Sequence, residues 1–297
     1  MKIIITGASG FVGQNLSQYL SNFSFSITAI SLRNSNWKDN FTGNSIIHLA
    51  GKAHDTKNTS DASEYFKVNT DLTIELFDIF LQSETKDFIY FSSVKAVADE
   101  VLDVLSEEVL PSPKTPYGQS KLQAEQYILS KEVPLDKRVF IIRPCMIHGP
   151  GNKGNLNLLY QLVSKGLPWP LGAFENKRSF LSIENLCFVI KELLENDTIP
   201  SGVYQVADDD PLSTNELIQL LGTSLDKQTK IWNIRSSWIR GVSKLGDFLH
   251  LPLNSERLQK LTENYIVSNK KIVASIGKPL PVDVKTGLLK TFNSFKK

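Results

Sequence analysis

The sequence predicts an α/β fold, in which a doubly wound parallel sheet carries helices on both faces and is followed by a smaller, interleaved C-terminal lobe. Short apolar runs alternate with segments of helical period through the first two thirds of the chain, which is typical of βαβ units. Glycines and prolines become frequent from Pro144 onward, where this alternation breaks down. The 297 residues, 41% of them hydrophobic, are sufficient for one large domain or two smaller ones.

The elements of the first part follow from hydrophobic periodicity. Apolar runs of strand length predict strands at Lys2 to Thr6, Ile27 to Leu32, Ser45 to Leu49, Phe88 to Ser92 and Val139 to Arg143. Apolar residues at helical spacing predict helices at Phe11 to Leu20, Ala62 to Gln82 and Gly118 to Leu129. Helices thus separate these strands except for the second and third, as is typical of the crossover connections of a parallel sheet.

The second part returns once to the sheet. Ile183 to Leu194 predicts a helix, and Val203 to Val206 predicts a strand that can rejoin the sheet. Ser213 and Glu216 have the spacing of a capping box at the start of a further helix. We therefore expect one domain of residues 1–150 plus about 183–207, and a smaller lobe of about 151–182 and 208–297.

Charge and cysteine content argue against several classes of protein. The formal net charge is +2, and the basic residues are scattered, so the chain lacks the basic stripe of nucleic-acid-binding proteins. Cys145 and Cys187 lie far apart without metal-ligand spacing, which predicts two buried thiols, no metal site and no disulfide framework. Ile3 to Leu32 has no charged residue, but glycines and amides interrupt it, and we expect a cytoplasmic protein without a membrane partner.

A glycine-rich turn stands between the first strand and the first helix, in the segment TGASGFVG from Thr6 to Gly13. Free backbone N–H groups and the helix dipole at such a turn favour the pyrophosphate of a dinucleotide. The spacing is GxxGxxG, and a turn made only for packing is the alternative. We assign phosphate contacts to Gly7, Ser9, Gly10, Phe11, Val12 and Gly13.

The end of the second strand bears on the choice of cofactor. Ser31 and Arg33 stand where many dinucleotide-binding chains carry an acid that hydrogen-bonds the ribose and repels a 2′-phosphate. Small size and positive charge at this place favour NADP over NAD. Arg33 as a solvated loop residue is the alternative.

Tyr117 and Lys121 form a YxxxK pair at the start of a predicted helix, on one face of it. A cation near a phenol stabilises the phenolate and lowers the tyrosine pKa toward neutrality. Ser92 and Ser93 end a predicted strand, where a hydroxyl can polarise a substrate oxygen. We favour Ser93 and keep Ser92 as the alternative, because a register error of one residue would reverse which side chain faces the site.

Several segments together resemble the extended short-chain dehydrogenase/reductases, of the NAD-dependent epimerase/dehydratase family. The segments are TGASGFVG, HLAG at His48 to Gly51, VN at Val68 and Asn69, FSS at Phe91 to Ser93, YGQSK, and RPCMIHGPG at Arg143 to Gly151. SSVKAV, GPGNKGN and NKRSFLSIENL are more closely similar to bacterial sugar-nucleotide C4 epimerases and 4-ketoreductases of surface-polysaccharide pathways.

The resemblance implies a Rossmann domain with a substrate lobe, a nucleoside-diphosphate sugar as substrate, with UDP favoured, and a homodimer formed through the helices near 62–82 and 118–129. It gives Tyr117 the acid/base role, Lys121 the activating role and a ribose contact, and Ser93 the orientation of the sugar hydroxyl, with Asn69 in support. It adds cofactor contacts at Leu49, Ala50, Gly51, Tyr117, Lys121 and Pro144. It adds substrate contacts at Ser93, Asn155, Arg178 and Arg257, of which the two arginines would hold the diphosphate; each arginine could instead form a surface ion pair.

The chain departs from the family between Asn34 and Asn44, where a short loop replaces a whole βα segment. Relatives place an acidic residue after that segment to contact adenine, so adenine must be held differently here. A 4,6-dehydratase is the weaker enzymatic alternative, because Val94 and Lys95 stand where that enzyme has its acid/base pair. A non-catalytic dinucleotide sensor is the alternative of another class, and the intact triad argues against it.

Overall fold

Six parallel strands form the central sheet of the protein. The computed structural model describes residues 1–34, 37–39, 41–52, 61–152, 154, 156–249 and 254–296. The strands are β1 (Lys2–Thr6), β2 (Ser26–Ile30), β3 (Ser45–His48), β4 (Asp87–Phe91), β6 (Arg138–Pro144) and β9 (Gly202–Val206). Their order in the sheet is β2-β1-β3-β4-β6-β9. The chain moves outward from β1 in both directions, so the carboxyl edge between β1 and β3 is the crevice where doubly wound sheets bind ligands.

Helices pack on both faces of this sheet, which confirms the predicted fold class. They are α1 (Phe11–Ser21), α2 (Ala62–Phe66), α3 (Leu72–Gln82), α4 (Pro116–Leu129) and α6 (Ile183–Glu195). Ile3 and Ile5 of β1 belong to the hydrophobic cluster that contains α1 and α6, whereas Ile4 belongs to the cluster that contains α3 and α4. Successive strand residues thus serve opposite layers, as the period of two requires.

A separate hydrophobic cluster forms the C-terminal lobe. The helices of this part are α5 (Leu156–Ser164), α7 (Thr214–Ser224), α8 (Ser236–Leu249), α9 (Ser255–Thr262), α10 (Lys270–Ile276) and α11 (Val284–Asn293). Short strands accompany them, β7 (Met146–His148) with β8 (Phe180–Ser182) and β5 (Val104–Leu105) with β10 (Ile266–Val267). The predicted capping box is present, with Ser213 and Glu216 satisfying each other's backbone amides. α10 contacts β9 and α6, so the chain returns to the sheet before its last helix. The limits of the two domains remain a prediction.

The predicted helix of 62–82 is the element that differs most from expectation. It consists of α2, a π-helical turn (Lys67–Asp71) and α3. Asn69 is the middle residue of this π-turn, and its side chain is fully buried and hydrogen-bonded to the backbone of Lys52. Such turns disrupt the helical ladder and often occur at functional sites.

The loop between β2 and β3 contains no strand among its described residues, consistent with the predicted loss of a βα segment. A short 3-10 turn (Trp37–Asp39) takes its place, and Trp37 is buried in the cluster formed by α3 and α4. No helix in the described part of the chain combines the length and the apolar character needed to cross a bilayer.

Candidate active site

The glycine-rich turn joins β1 to the start of α1 and leaves that helix without a side-chain cap. Gly10 is the N-cap residue and makes no side-chain hydrogen bond to the first turn. Gly7 has a φ of 73°, and a Cβ there would lie 2.6 Å from the Ala50 nitrogen. A Cβ at Gly13 would lie 2.4 Å from the Gly7 oxygen, so the helix packs directly on the turn. The tight turn and the uncapped amides fit a pyrophosphate, which would complete the helix N-terminus.

Residues after β3 close the opposite side of this crevice. The Leu49 amide donates to the Thr6 carbonyl at 3.1 Å, and the Ala50 amide lies 3.3 Å from Thr6 Oγ1. His48 is fully buried between Thr6 Oγ1 and Thr73 Oγ1, at 2.7 and 2.9 Å. Burial lowers the pKa of His48 to about 3, so its ring is neutral at ordinary pH.

Ser31 and Arg33 lie just beyond the end of β2, as predicted, and both are exposed. The Arg33 backbone amide is 3.4 Å from Ser31 Oγ. The exposed Arg33 side chain therefore places a positive charge at this corner of the crevice.

Tyr117 stands in the first turn of α4, which is fixed to the segment after β4. Thr115 is the N-cap of α4, and its side chain accepts from the Gly118 amide. The Asp99 carboxylate accepts from the Lys114 amide at 2.6 Å and from Thr115 Oγ1 at 3.2 Å. These contacts hold the start of α4 in a fixed position beside the residues that follow β4.

Ser93 follows β4, and its side chain contacts that of Tyr117. Its Oγ accepts from the Lys95 amide at 3.2 Å, which leaves the hydroxyl proton for another acceptor, and a side-chain hydrogen bond joins Ser93 to Tyr117. Ser92 Oγ is buried and has no hydrogen-bond partner within the described residues. The geometry thus joins Ser93, and not Ser92, to the tyrosine.

Lys121 lies one turn after Tyr117 and is 5% exposed. Its Nζ donates to the Phe91 carbonyl at 2.8 Å and lies 5.0 Å from the centre of the Tyr90 ring. Burial lowers the pKa of Lys121 to about 8, although the Glu125 carboxylate opposes this shift. The ammonium is therefore held at the end of β4, next to the strand residues that lead to Ser93.

The pKa of Tyr117 departs from the sequence expectation. We expected the Lys121 ammonium to lower it, but burial raises the pKa of Tyr117 in the protein, opposed by the hydrogen bond with Ser93. The edge of the Tyr65 ring also packs against Tyr117, with ring centres 6.2 Å apart. The expectation was wrong for the protein alone because it neglected the desolvation of the phenol.

Asn69 and Gly51 complete this side of the site. A Cβ at Gly51 would lie 2.9 Å from Asn69 Oδ1 and 3.2 Å from Lys121 Nζ. Asn69 Nδ2 also donates to Ser120 Oγ on α4 at 3.1 Å. Asn69 thereby ties the π-turn to the helix that carries Tyr117 and Lys121. Pro144, a predicted cofactor contact, is the last residue of β6 and ends at the same edge of the sheet.

Arg178 lies between the sheet and the C-terminal lobe. Its guanidinium donates to the Lys260 carbonyl of α9 and is 3.8 Å from a Glu263 carboxylate oxygen. Burial lowers the pKa of Arg178 and raises that of Glu263. Arg257 is exposed on α9, the helix that supplies this carbonyl. Asn155, the remaining predicted substrate contact, falls outside the described residues.

Two residues near Arg178 were not assigned a role from the sequence. Lys95 lies two positions after Ser93, and its Nζ donates to the Asp99 carbonyl at 2.7 Å and lies 4.2 Å from the centre of the Tyr265 ring. Burial lowers the pKa of Lys95, with Glu263 and Arg178 among its neighbouring charges. Glu263 comes from a distant part of the chain, and no local pattern marks it.

The sequence matches the model of a known protein family over most of its length. Residues 3–207 match the NAD dependent epimerase/dehydratase family. The chain belongs to this family. The match covers every strand of the central sheet and all the residues of the proposed triad, so the chain is an NAD(P)-dependent enzyme of the sugar-nucleotide epimerase and reductase group.

Three of the proteins that are similar to this chain have names that state an enzymatic activity. The chain is 33% identical to a UDP-glucose 4-epimerase of Vibrio cholerae over 251 residues, 76% of each chain. It is 29% identical to an N-acetyl-alpha-D-glucosaminyl-diphospho-ditrans,octacis-undecaprenol 4-epimerase of Escherichia coli O157:H7, covering 76% of this chain and 73% of that one. It is 27% identical to a GDP-6-deoxy-D-mannose reductase of Pseudomonas aeruginosa, covering 74% and 79%.

Solved structures share the fold of this epimerase/dehydratase family member. RMD from Pseudomonas aeruginosa, complexed with NADPH, matches with a TM-score of 0.78 at 21% identity over all of both chains. UDP-glucuronic acid 4-epimerase from Bacillus cereus, in complex with NAD, matches with a TM-score of 0.76 at 20% identity over 100% of this chain and 99% of that one. These likenesses confirm the Rossmann-type fold.

Proposed function

We propose that the protein moves a hydride at C4 of a nucleoside-diphosphate sugar, with Tyr117 as acid/base, Ser93 as its hydroxyl partner and Lys121 as the supporting cation. The observation that carries the proposal is the hydrogen bond between Ser93 and Tyr117 at the end of β4, one helical turn from the buried Lys121. These side chains come from two elements that are far apart in sequence but share one edge of the sheet.

A bound nicotinamide dinucleotide would supply the hydride exchange and, when oxidised, a positive charge. The turn of Gly7 to Gly13 would hold its pyrophosphate, and Lys121 would contact its ribose. Tyr117 is protonated in the protein alone, since burial raises its pKa. A protonated phenol can donate to a C4 ketone oxygen as reduction proceeds. Ser93 then stabilises the same oxygen through its hydroxyl, which the Lys95 amide orients.

The reverse direction requires Tyr117 to accept the proton of the C4 hydroxyl. A cation nearby stabilises the phenolate, and Lys121 contributes this charge below a pH of about 8. An epimerase needs both directions in one turnover, whereas a 4-ketoreductase needs only donation by Tyr117. The same three residues therefore serve either activity.

The substrate we propose is a UDP sugar of surface-polysaccharide synthesis. Arg178 and Arg257 would hold its diphosphate, because guanidinium groups bind phosphate oxygens in a bidentate manner. The Vibrio cholerae relative is named for a UDP sugar, which supports this choice. We further propose NADP as the cofactor, a homodimer through α2, α3 and α4, and a cytoplasmic location.

A second candidate is the same chemistry on a sugar whose diphosphate carries a polyprenol. The name of the Escherichia coli relative specifies such a substrate. The exposed apolar side chains of α8, which packs against α9, also favour it. A 4,6-dehydratase is not favoured, because Val94, at the first acid/base position, is apolar and 4% exposed.

Turnover of defined sugars tests the function. Purified protein would receive a UDP-HexNAc sugar with NAD, a UDP-4-keto-6-deoxy sugar with NADPH, or a polyprenyl-diphosphate HexNAc with NAD, with products resolved by chromatography. Inversion at C4 assigns an epimerase, and consumption of NADPH with the keto sugar assigns a reductase. The absence of turnover with all three would contradict the proposed chemistry.

Two matched pairs of variants test the residues. Tyr117→Phe should lower kcat at least about a hundredfold, since general acid/base catalysis contributes that much. Tyr127→Phe on the same helix is the control, because its hydroxyl binds Asp78 away from the site. Ser93→Ala should likewise reduce kcat, whereas Ser92→Ala should retain it. If both variants of a pair lower kcat equally, the catalytic role assigned to Tyr117 or Ser93 is wrong.

A further inference from the structure

α8 exposes a row of large apolar side chains. Ile239, Ser243 and Gly246 form the buried side of this helix. The exposed residues lie at spacings of four and three, on an adjacent side of the helix. They are Trp238, Val242, Leu245 and Phe248, with 72, 52, 55 and 82% of their surface exposed. We call these four residues the α8 stripe.

Basic residues outnumber acidic ones on α8 and in the segment that precedes it. Residues 227–249 contain five basic residues and one acidic residue, Asp247. The Asp247 carboxylate accepts from the amide and hydroxyl of Ser255, the first residue of α9. Among the residues whose side chains the structure describes, none of these five basic residues has a carboxylate in ion-pair range; they are Lys227, Lys230, Arg235, Arg240 and Lys244.

Such a surface has a particular chemical complement. A contiguous apolar row on a soluble protein marks an interaction site, since isolated exposed apolar residues are common but aligned ones are not. A helix with Trp, Phe and Leu on one side and Lys and Arg elsewhere is typical of helices that lie in the interface of a bilayer. The positive excess is complementary to anionic lipid headgroups.

We propose that the α8 stripe docks on the surface of a bilayer that contains anionic lipid. Two copies of this chain could meet through α8 only by bringing the same cations together, because a twofold interface pairs a surface with itself. Charge therefore favours the lipid surface. The sequence predicted no membrane partner. The proposal departs from that prediction because the fold buries only one side of α8 and leaves the four apolar residues of the α8 stripe exposed.

The α8 stripe belongs to the part of the lobe that approaches the active site. α8 packs against α9, and the Lys260 carbonyl of α9 accepts from Arg178. Docking through α8 would hold α9, the helix that contacts Arg178, next to the bilayer. This placement is independent of whether the substrate itself is lipid-linked.

Vesicle binding tests the proposal without any sugar substrate. The full chain would be sedimented with vesicles of phosphatidylcholine alone and with vesicles that also contain phosphatidylglycerol. We expect about tenfold stronger binding to the anionic vesicles at low salt, and loss of that difference at high salt. Equal binding to both compositions, or binding to neither, overturns the proposal.

Two exposed leucines provide a matched pair of variants. Leu245→Asp places a carboxylate in the α8 stripe, whereas Leu135→Asp changes a residue that is fully exposed in the loop between α4 and β6. Leu245→Asp should reduce binding to anionic vesicles at least tenfold, and Leu135→Asp should leave it unchanged. Both positions are exposed, so thermal unfolding should confirm that each variant folds as the wild type does.

Light scattering distinguishes docking on a bilayer from association between two copies of the chain. If Leu245→Asp converts a dimer into a monomer and leaves vesicle binding intact, the α8 stripe is an interface between copies and the proposal is wrong. Failure of sugar turnover with intact vesicle binding would instead remove the proposed function alone.

Discussion

Arg143 and Glu125 form an ion pair in the interior, with Arg143 Nε 3.0 Å from Glu125 Oε1 and the two side chains 5% and 1% exposed. Glu125 lies one helical turn after Lys121 on α4, and Arg143 lies near the end of β6. The pair therefore joins the helix that carries the proposed catalytic residues to the central sheet. It also places a carboxylate near the Lys121 ammonium, whose pKa it raises.

Removal of one partner of this pair should be costly. Glu125→Leu leaves the Arg143 guanidinium buried without its carboxylate, and we expect the free energy of unfolding to fall by about 3–5 kcal/mol. The double variant Glu125→Leu/Arg143→Leu removes both charges and should recover most of that loss. Urea denaturation of the wild type, both single variants and the double variant measures the coupling. A loss below about 1 kcal/mol in the single variants would show that the pair is solvated.

Lys121 should cost the protein stability at neutral pH. Its pKa is lowered from 10.5 to about 8, so the unfolded chain binds its proton more tightly and stability rises as the pH increases through this window. The shift corresponds to about 3 kcal/mol below pH 8. Lys121→Met should therefore raise the free energy of unfolding at pH 7 by roughly this amount while abolishing turnover, and the difference should disappear above pH 10.5. A variant that is less stable than the wild type at pH 7 contradicts this account.

His48 should make the protein sensitive to acid. Its pKa is lowered from 6.5 to about 3 by burial, so the folded state holds the neutral ring and the unfolded state takes up a proton between these values. The stability contributed by His48 is complete above pH 6.5 and is lost as the pH falls toward 3. His48→Gln should be less stable at pH 7 but show a shallower decline from pH 6.5 to 4 in urea denaturation. Parallel pH profiles for both proteins would refute the assignment.

Much of the sheet could be predicted because its inner strands β1, β3, β4 and β6 are short, apolar and buried on both faces. The predicted strand at Phe88 to Ser92 differs from β4 by one residue at each end. The glycine-rich turn was also predictable, since Gly7 and Gly13 permit contacts that a Cβ would prevent. Local sequence carries this information because it specifies backbone conformation and packing between neighbouring elements.

Contacts between distant segments could not be predicted in this way. Glu263 meets Arg178 only because α9 and β8 are adjacent in the folded lobe, and nothing near Glu263 in the sequence marks this. The π-turn at Asn69 lies within a segment whose periodicity indicates one continuous helix. The pKa of Tyr117 depends on how completely neighbouring chain segments exclude water from the phenol, which residue spacing does not reveal.

Arg33 should determine the choice between the two nicotinamide cofactors. An exposed guanidinium at the proposed ribose end of the crevice would form charge-assisted hydrogen bonds with a 2′-phosphate. Arg33→Ala should weaken NADPH binding by about tenfold to a hundredfold in isothermal titration and leave NADH binding unchanged. Arg240→Ala, which removes another exposed arginine, is the control for net charge. A wild-type preference for NADH would show that Arg33 is only a solvated loop residue.

Gly118 should control the distance between Ser93 and Tyr117. A Cβ at Gly118 would lie 2.3 Å from the Lys95 carbonyl oxygen and 2.8 Å from Pro113 Cβ, so α4 can approach the turn after Ser93 only through a glycine. Gly118→Ala should displace the first turn of α4 and lower kcat by about a hundredfold, because catalysis is sensitive to shifts of this size.

The matched control for Gly118 is Gly241→Ala, at an exposed position of α8 where a Cβ would meet nothing within 4 Å. This substitution should stabilise the protein by about 1 kcal/mol through helix propensity and leave turnover unchanged. Steady-state kinetics and thermal unfolding of the two variants separate misplacement of Tyr117 from general loss of structure. If Gly118→Ala retains kcat, the hydrogen bond between Ser93 and Tyr117 tolerates movement of α4, and close packing of these elements is not required for catalysis.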